Sequence, residues 1–421
     1  MSSASITPLS RNVKLYLVIP FVLGFSWLGL FIVLFNLFLL RLGYGPRFIG
    51  LLSAWGPVMF IAMSIPGGVL SRRWGSRRLI ILGVSIYAVS FTLLPWGELL
   101  SSPGREIWFV VFLLMAYLGG CFYWPNADVY LMQVTTADNR SRAFALQQAL
   151  YPLAGFMGSL LAGQLPGVFA RLLGASIEQP TPYRYALLLC GVAYIGGVLA
   201  MLATDADAAP PAPPGTPQAN DGGKWPVLLG LIAPLALVEM LWKGGTQGPT
   251  RFFNIFLNVD LQVSPARIGL ILGVGQLVAA ALAMTTPWLA RRLGNGRVIV
   301  LTLGGLSAVL LLMAVSRNWL GAGISFMLFQ GLTAISISAI AIYRMERVDA
   351  AWWGWASGIA VAVRGIGESA VFFGGGMIIE LYGFASFFTA TAAVLAIGLT
   401  FFILCFRPLT RMNFMPNQTP S

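Results

Sequence analysis

Four ionisable side chains stand deep inside apolar runs of a 421-residue chain: Glu239 with Lys243, and Arg364 with Glu368. Each pair is spaced by four residues, so a helix brings its members onto one face, and an ion pair within each helix is expected. The formal charge of the four is zero. An ionised side chain at a bilayer centre costs at least about 2.5–3.5 kcal/mol on insertion scales, so these positions are where function is sought. In one reading Lys243 and Arg364 meet an anionic group while Glu239 or Glu368 takes up a proton. In the other, two self-neutralising structural pairs ease the insertion of their helices.

Other chemistry is narrowed by what the chain lacks. It contains no histidine, which removes imidazole relays, HExxH metal sites and histidine-based triads. Its three cysteines, Cys121, Cys190 and Cys405, lie in apolar runs without paired spacing, and three buried free thiols are expected. No metal site, cofactor or phosphate-binding GxxxxGK[ST] loop is found, and no enzymatic activity is expected. Aromatic and amide side chains suited to lining a cavity for an organic solute are Tyr123, Trp124, Asn126, Gln147, Gln148 and Tyr151, with Gln330 further on. Trp27, Asn36, Gln247 and Gln276 are weaker candidates, for which a hydrogen bond to a neighbouring helix is the commoner role.

The elements that must hold these residues follow from composition. Hydrophobic residues make up 57% of the chain and charged residues 10%, too little polar material to cover a water-facing surface. Apolar runs predict twelve transmembrane helices, at about 15–40, 48–70, 79–97, 107–133, 143–166 and 184–203, then 227–257, 265–290, 297–316, 318–343, 352–378 and 384–406. Residues 1–14 and 407–421 read as tails. The stretch 204–226, with Pro210, Pro211, Pro213, Pro214 and Pro217, reads as a solvated tether between six spans (15–203) and six spans (227–406).

Lys and Arg set the orientation. With both termini cytoplasmic, inner segments carry sixteen of them and outer loops seven, as the positive-inside rule requires. Arg344 is counted among the inner segments. The net charge of +12 is thereby explained by membrane topology, and no nucleic-acid partner is expected. The chain is read as a multi-pass, monomeric protein of the cytoplasmic membrane whose partners are the bilayer, a small solute and, for coupling, protons.

The two halves repeat each other. Phe35-Asn36-Leu37-Phe38-Leu39 matches Phe253-Asn254-Ile255-Phe256-Leu257 at an offset of 218 residues, and Pro46, Ile49, Gly50 and Leu51 match Pro265, Ile268, Gly269 and Leu270 at 219. Leu70-Ser71-Arg72-Arg73-Trp74-Gly75 then aligns with Leu289-Ala290-Arg291-Arg292-Leu293-Gly294. Three patches in register over about 60 residues indicate a duplicated six-helix unit.

The segment from Gly68 through Arg72, Arg73, Gly75 and Arg77 to Arg78 resembles the loop 2–3 signature of the major facilitator superfamily, and Asp138-Asn139-Arg140-Ser141-Arg142 resembles the loop before its helix 5. The resemblance implies an all-α integral membrane fold of two pseudo-symmetric six-helix bundles, a central cavity and alternating access by rocking of the bundles. It also implies a cytoplasmic gate at Gly68, Arg72, Arg73, Gly75, Arg77, Arg78, Asp128, Asp138, Arg140, Arg291 and Arg292. Family members usually carry an acidic residue where this chain has Arg72 and, in the second half, Arg291. The usual latch therefore cannot be copied. A charge-swapped latch, with Asp128, Asp138 or Glu346 accepting, is one reading, and topology determinants binding lipid phosphate are the other. Helix 5 reads Gly155-Phe156-Met157-Gly158 without the proline common in family antiporters, which weighs against drug export. The leading reading is a secondary transporter of a small organic solute. The alternative is a non-transporting sensor or scaffold on a transporter fold.

Overall fold

A computed structural model of the chain describes residues 9–205, 225–348 and 353–411, with some side chains inside these ranges left out. Nearly all of the expected tether, and most of both expected tails, lie outside the described residues. All regular structure among the described residues is helical. The N-terminal half gives α1 (Arg11–Arg41), α2 (Pro46–Trp74), α3 (Ser76–Leu99), α4 (Gly104–Val134), α5 (Ala137–Leu173) and α6 (Thr181–Leu202). The second gives α7 (Trp225–Val259), α8 (Pro265–Ala283, continued as Thr286–Leu293), α9 (Asn295–Val315) and α10 (Trp319–Arg347). The last helical stretch, Trp353–Arg411, leaves helical geometry at Gly383 (φ 80°) and so divides into α11 (353–382) and α12 (384–411).

Ten stretches among the described residues are long and apolar enough to cross a membrane, against the twelve expected. One of the ten, Gly358–Phe406, holds both α11 and α12, and α7 is helical over 35 residues without being among them. The expected helix 8 is also interrupted. Turn residues Met284 and Thr285 precede Pro287, which sits in the first turn of the short continuation. Proline has no N–H with which to continue the helical ladder from the preceding turn, and the chain restarts there.

The duplication seen in sequence reappears in backbone geometry. Gly75 (φ 80°, ψ 155°) ends α2, and its counterpart Gly294 (φ 78°, ψ 149°) ends the continuation of α8. Side chains other than glycine avoid this region, so the same residue type marks the same turn twice. Pro46 and Pro265 likewise open α2 and α8, where a proline's missing N–H costs nothing.

The described residues form two compact units. In the first, residues 9–205 with 252–277, α1 packs on α5 and α6, and α3 on α4 and α6. Close approach of α1 to α5 is made by glycine: a side chain at Gly24 would strike the Tyr151 carbonyl, and one at Gly29 would strike Gly158. Over Gly24–Phe31 α1 widens into a π-helical segment. In the second unit, 225–251 with 278–411, α9 packs on α10 and on the last helical stretch. There Gly367 of α11 lies against Met240 of α7, and Gly245 of α7 against Leu395 of α12.

Cys121 and Cys190 are buried free thiols as expected, but Cys405 is exposed on α12. Helix 12 carries no charge through its interior, and an apolar thiol is at home on a lipid-facing surface. Arg184, at the edge of the expected sixth helix and counted with the outer loops for orientation, lies inside α6, buried, with its Nη1 3.4 Å from Glu98 Oε2.

Candidate functional site

In the second unit the intramembrane charges meet, though not as their spacing predicts. Neither expected pair within a helix forms. Lys243 of α7 reaches across to Glu368 of α11, Nζ to Oε2 at 3.4 Å. Glu239 of α7 instead receives two arginines. Arg344 donates from Nη1 to its Oε1 at 2.5 Å, and Nε of Arg364 lies 3.5 Å from its Oε2. Cross-helix pairing wins because packing sets α7 against α10 and α11 at this depth, whereas an i, i+4 pair needs both long side chains to bend along one helix.

Arg344 is the residue that spacing and charge alone misplace. It lies inside α10, which extends to Arg347, past the expected end at 343, and its side chain is 8% exposed beside a Glu239 side chain that is fully buried. Among the described residues, three cations therefore surround two carboxylates, and the group is not neutral. Lys243, Glu368 and Arg364 keep between a fifth and a little over a quarter of their side-chain surface accessible. Trp242 donates to Ser336 Oγ at 2.9 Å, a further bond joining α7 to α10. Gln330 is half-buried on α10.

In the first unit, Tyr16 of α1 donates its hydroxyl to Gln147 Oε1 at 3.0 Å, and Gln147 donates to Asp128 Oδ1 at 2.9 Å. This relay ties α1, α5 and α4, and Tyr16 is not among the residues that the sequence singles out. Asp128 thus accepts from an amide. Asn126 accepts from Ser71 Oγ at 2.5 Å and donates to the Phe122 carbonyl at 2.8 Å, so it links α2 to α4. Tyr123 is buried, while Trp124 is exposed and meets Tyr151 edge-on at 5.6 Å. Gln148 is exposed on α5.

Of the expected gate residues, the surroundings of Gly68 and the side chain of Arg72 lie outside what is described. Arg73, Arg78, Arg291 and Arg292 are exposed, and Arg292 stacks over Trp288 at 4.5 Å. Arg77 is engaged differently: its guanidinium donates to Thr204 Oγ1 and to the carbonyls of Leu202 and Thr204 at 2.8–3.2 Å. Those are carbonyls left open at the end of α6, which a cation satisfies well. Arg140 donates to Thr135, and Asp138 is exposed in the first turn of α5. Glu346 accepts from Asn295 at 2.7 Å. Among the described residues, none of Asp128, Asp138 and Glu346 takes part in an ion pair.

The sequence profile of the Major Facilitator Superfamily matches residues 16–247, more than half of the chain. The chain belongs to the major facilitator superfamily. It is similar to the class C tetracycline resistance protein of Escherichia coli, at 23% identity over 364 residues and 86% of each chain. It is also similar to the enterobactin exporter EntS of Salmonella typhimurium, at 26% identity over 286 residues, 67% of this chain and 64% of the exporter. Among solved structures, a bacterial homologue of the human lysosomal transporter Spinster, inward-facing and unoccupied, superposes with a TM-score of 0.76 at 16% identity. That match covers 99% of this chain and all of the other. A point mutant of the nucleoside transporter NupG gives 0.75 at 15% identity, over 94% of this chain and all of NupG. As a superfamily member the chain is a multi-pass membrane protein and a secondary transporter.

Proposed function

We propose that the transported solute is a small organic molecule, moved by alternating access across the cytoplasmic membrane by a monomer with both termini inside the cell. The observation that carries this reading is the ionic group of Glu239, Lys243, Arg344, Arg364 and Glu368, drawn from three helices and still partly accessible. Charges kept against such a desolvation cost are retained where a solute or ion must be handled. The aromatic and amide set of α4 and α5, Tyr123, Trp124, Gln147 and Tyr151, supplies walls of the kind an organic solute needs. With Arg344 and Arg184 placed inside helices, the excess of inner Lys and Arg, fifteen against six, supports the orientation.

Proton coupling follows the difference between the two carboxylates. Glu239 is fully buried under two guanidiniums and serves as a fixed charge. Glu368 has one ionic partner, Lys243, and 21% of its side chain is accessible. The charged groups around it are Lys243 and Glu239 on α7, Arg344 on α10 and Arg364 on its own helix. We assign the coupling proton to Glu368: its protonation frees Lys243, and solute binding that engages Lys243 favours the proton in return. The gate reading stays with Arg72 and Arg291, and charge reversal at either tests it.

The deciding experiment is uptake into proteoliposomes holding the purified chain under an imposed pH gradient. Accumulation of a solute above its outside concentration, lost in Glu368→Gln, is the expected result. Ligand binding without any uptake would instead establish a sensor.

A further inference from the structure

We infer that the ionic group of the second unit selects an organic anion, a solute carrying a carboxylate, with Arg364 as its contact. The inference rests on the reading of this group as the solute site and names the class of solute that fits it. Among the described residues of this group, Lys243, Arg344 and Arg364 face only Glu239 and Glu368, so one positive charge lies there without a compensating carboxylate. An uncompensated charge in this setting is costly, and a bound anion removes the cost. A neutral solute leaves it in place, and a cationic solute adds to it.

The geometry says which cation is available. Arg344 is buried and held by its short bond to Glu239 Oε1. Lys243 is held by Glu368. Arg364 contributes only its Nε, to Glu239 Oε2 at 3.5 Å and to the Ala360 carbonyl at 3.0 Å. Its two terminal nitrogens make no hydrogen bond to any described residue, and 27% of the side chain is accessible. The open edge of a guanidinium is a planar fork of N–H donors, matched in width to the two oxygens of a carboxylate. Lys243, which stands on the same group, then offers a second cation when Glu368 is protonated. Arg344 and Glu239 serve to hold the Nε side of Arg364 so that this edge stays free.

The test uses the full chain purified in detergent, with thermal unfolding as the readout and matched pairs of probes: metabolite carboxylates, their primary amides, and the corresponding amines. Chloride is varied alone in a separate arm. At least one carboxylate is expected to raise the melting temperature while its amide and amine do not. Arg364→Gln is expected to weaken that carboxylate at least about tenfold, the loss of a charge-assisted hydrogen-bond pair, with Arg364→Lys intermediate. Stabilisation by amides or amines but by no carboxylate overturns the inference, as does equal carboxylate binding by Arg364→Gln. Full stabilisation by chloride alone reduces the site to an inorganic counterion site and overturns it too. If Arg364→Gln does not fold, the acid-against-amide comparison on the unaltered chain decides alone. Proteoliposome uptake separates this inference from the carrier reading. Carboxylate binding without uptake sinks only the carrier, and uptake of neutral solutes without carboxylate binding sinks only the anion.

Discussion

Asn36 donates from Nδ2 to Asn254 Oδ1 at 2.9 Å, and the two residues stand at equivalent positions of the duplicated sequence, 218 residues apart. Both are buried near the C-terminal ends of α1 and α7. Asn254 returns its own Nδ2 to the carbonyls of Ile32 (2.9 Å) and Val33 (3.3 Å), so the bond pattern is asymmetric where the sequence is symmetric. Further along the same helices, Arg41 donates to Asn258 Oδ1 at 3.4 Å, again at nearly the repeat offset. The equivalent segments of the sequence repeat are thus each other's partners.

Replacing Asn254 with leucine removes the acceptor of Asn36 and the donor to two carbonyls. The expected loss is about 1 kcal/mol, the scale of interhelical hydrogen bonds in membrane proteins. Thermal unfolding in detergent measures it. Asn36→Leu combined with Asn254→Leu should cost less than the two singles summed, because both singles remove the same Asn36–Asn254 bond.

Glu239→Gln leaves Arg344 and Arg364 facing each other without their shared carboxylate. Removing one partner of a buried ionic group costs about 3–5 kcal/mol, enough to lower the yield of folded protein sharply. Adding Arg344→Gln should restore part of that loss. Gel filtration of the fluorescently tagged chain would report both, and a double variant no better than Glu239→Gln alone would refute the pairing.

Lys243 and Glu368 are partners across two helices, so exchanging them tests the bond without changing the charge. Lys243→Glu and Glu368→Lys should each reduce uptake strongly, and the exchanged pair should recover a measurable part. Proteoliposome uptake by the two single variants and the exchanged pair checks this, and an exchanged pair no better than either single would count against the bond.

Gly158 of α5 lies against the Phe25 carbonyl and Gly29 of α1, with no room for a side chain. Gly158→Leu should force α1 and α5 apart and prevent stable folding. Gly167, which has open space around it on the same helix, should accept alanine with little effect. Comparing the surface expression of the two variants checks the contrast.

Much of the fold can be read from residues alone because a bilayer admits few solutions: runs of apolar residues must be helices, and matched turns at Gly75 and Gly294 must be glycine. The depth of Glu239, Lys243, Arg364 and Glu368 is legible for the same reason. Their partners are not. Spacing by four suggests bonding along a helix, while the bonds that form depend on which helices pack together. Arg344 is hidden by its place, just past the expected end of helix 10, where an arginine reads as a topology signal. Tyr16 is hidden because nothing in a lone tyrosine announces a partner 131 residues away. The break in α8 has a signal in Pro287, outweighed by the apolar run around it.

Arg77 grips the final carbonyls of α6 from the opening turn of α3. A pull exerted on the chain beyond Thr204 therefore does more than unwind α6; it is delivered to the neighbouring helix as well, at the foot of α3. Shortening the proline-bearing stretch that follows would then be felt first at this arginine, which acts as a mooring point for the first six helices.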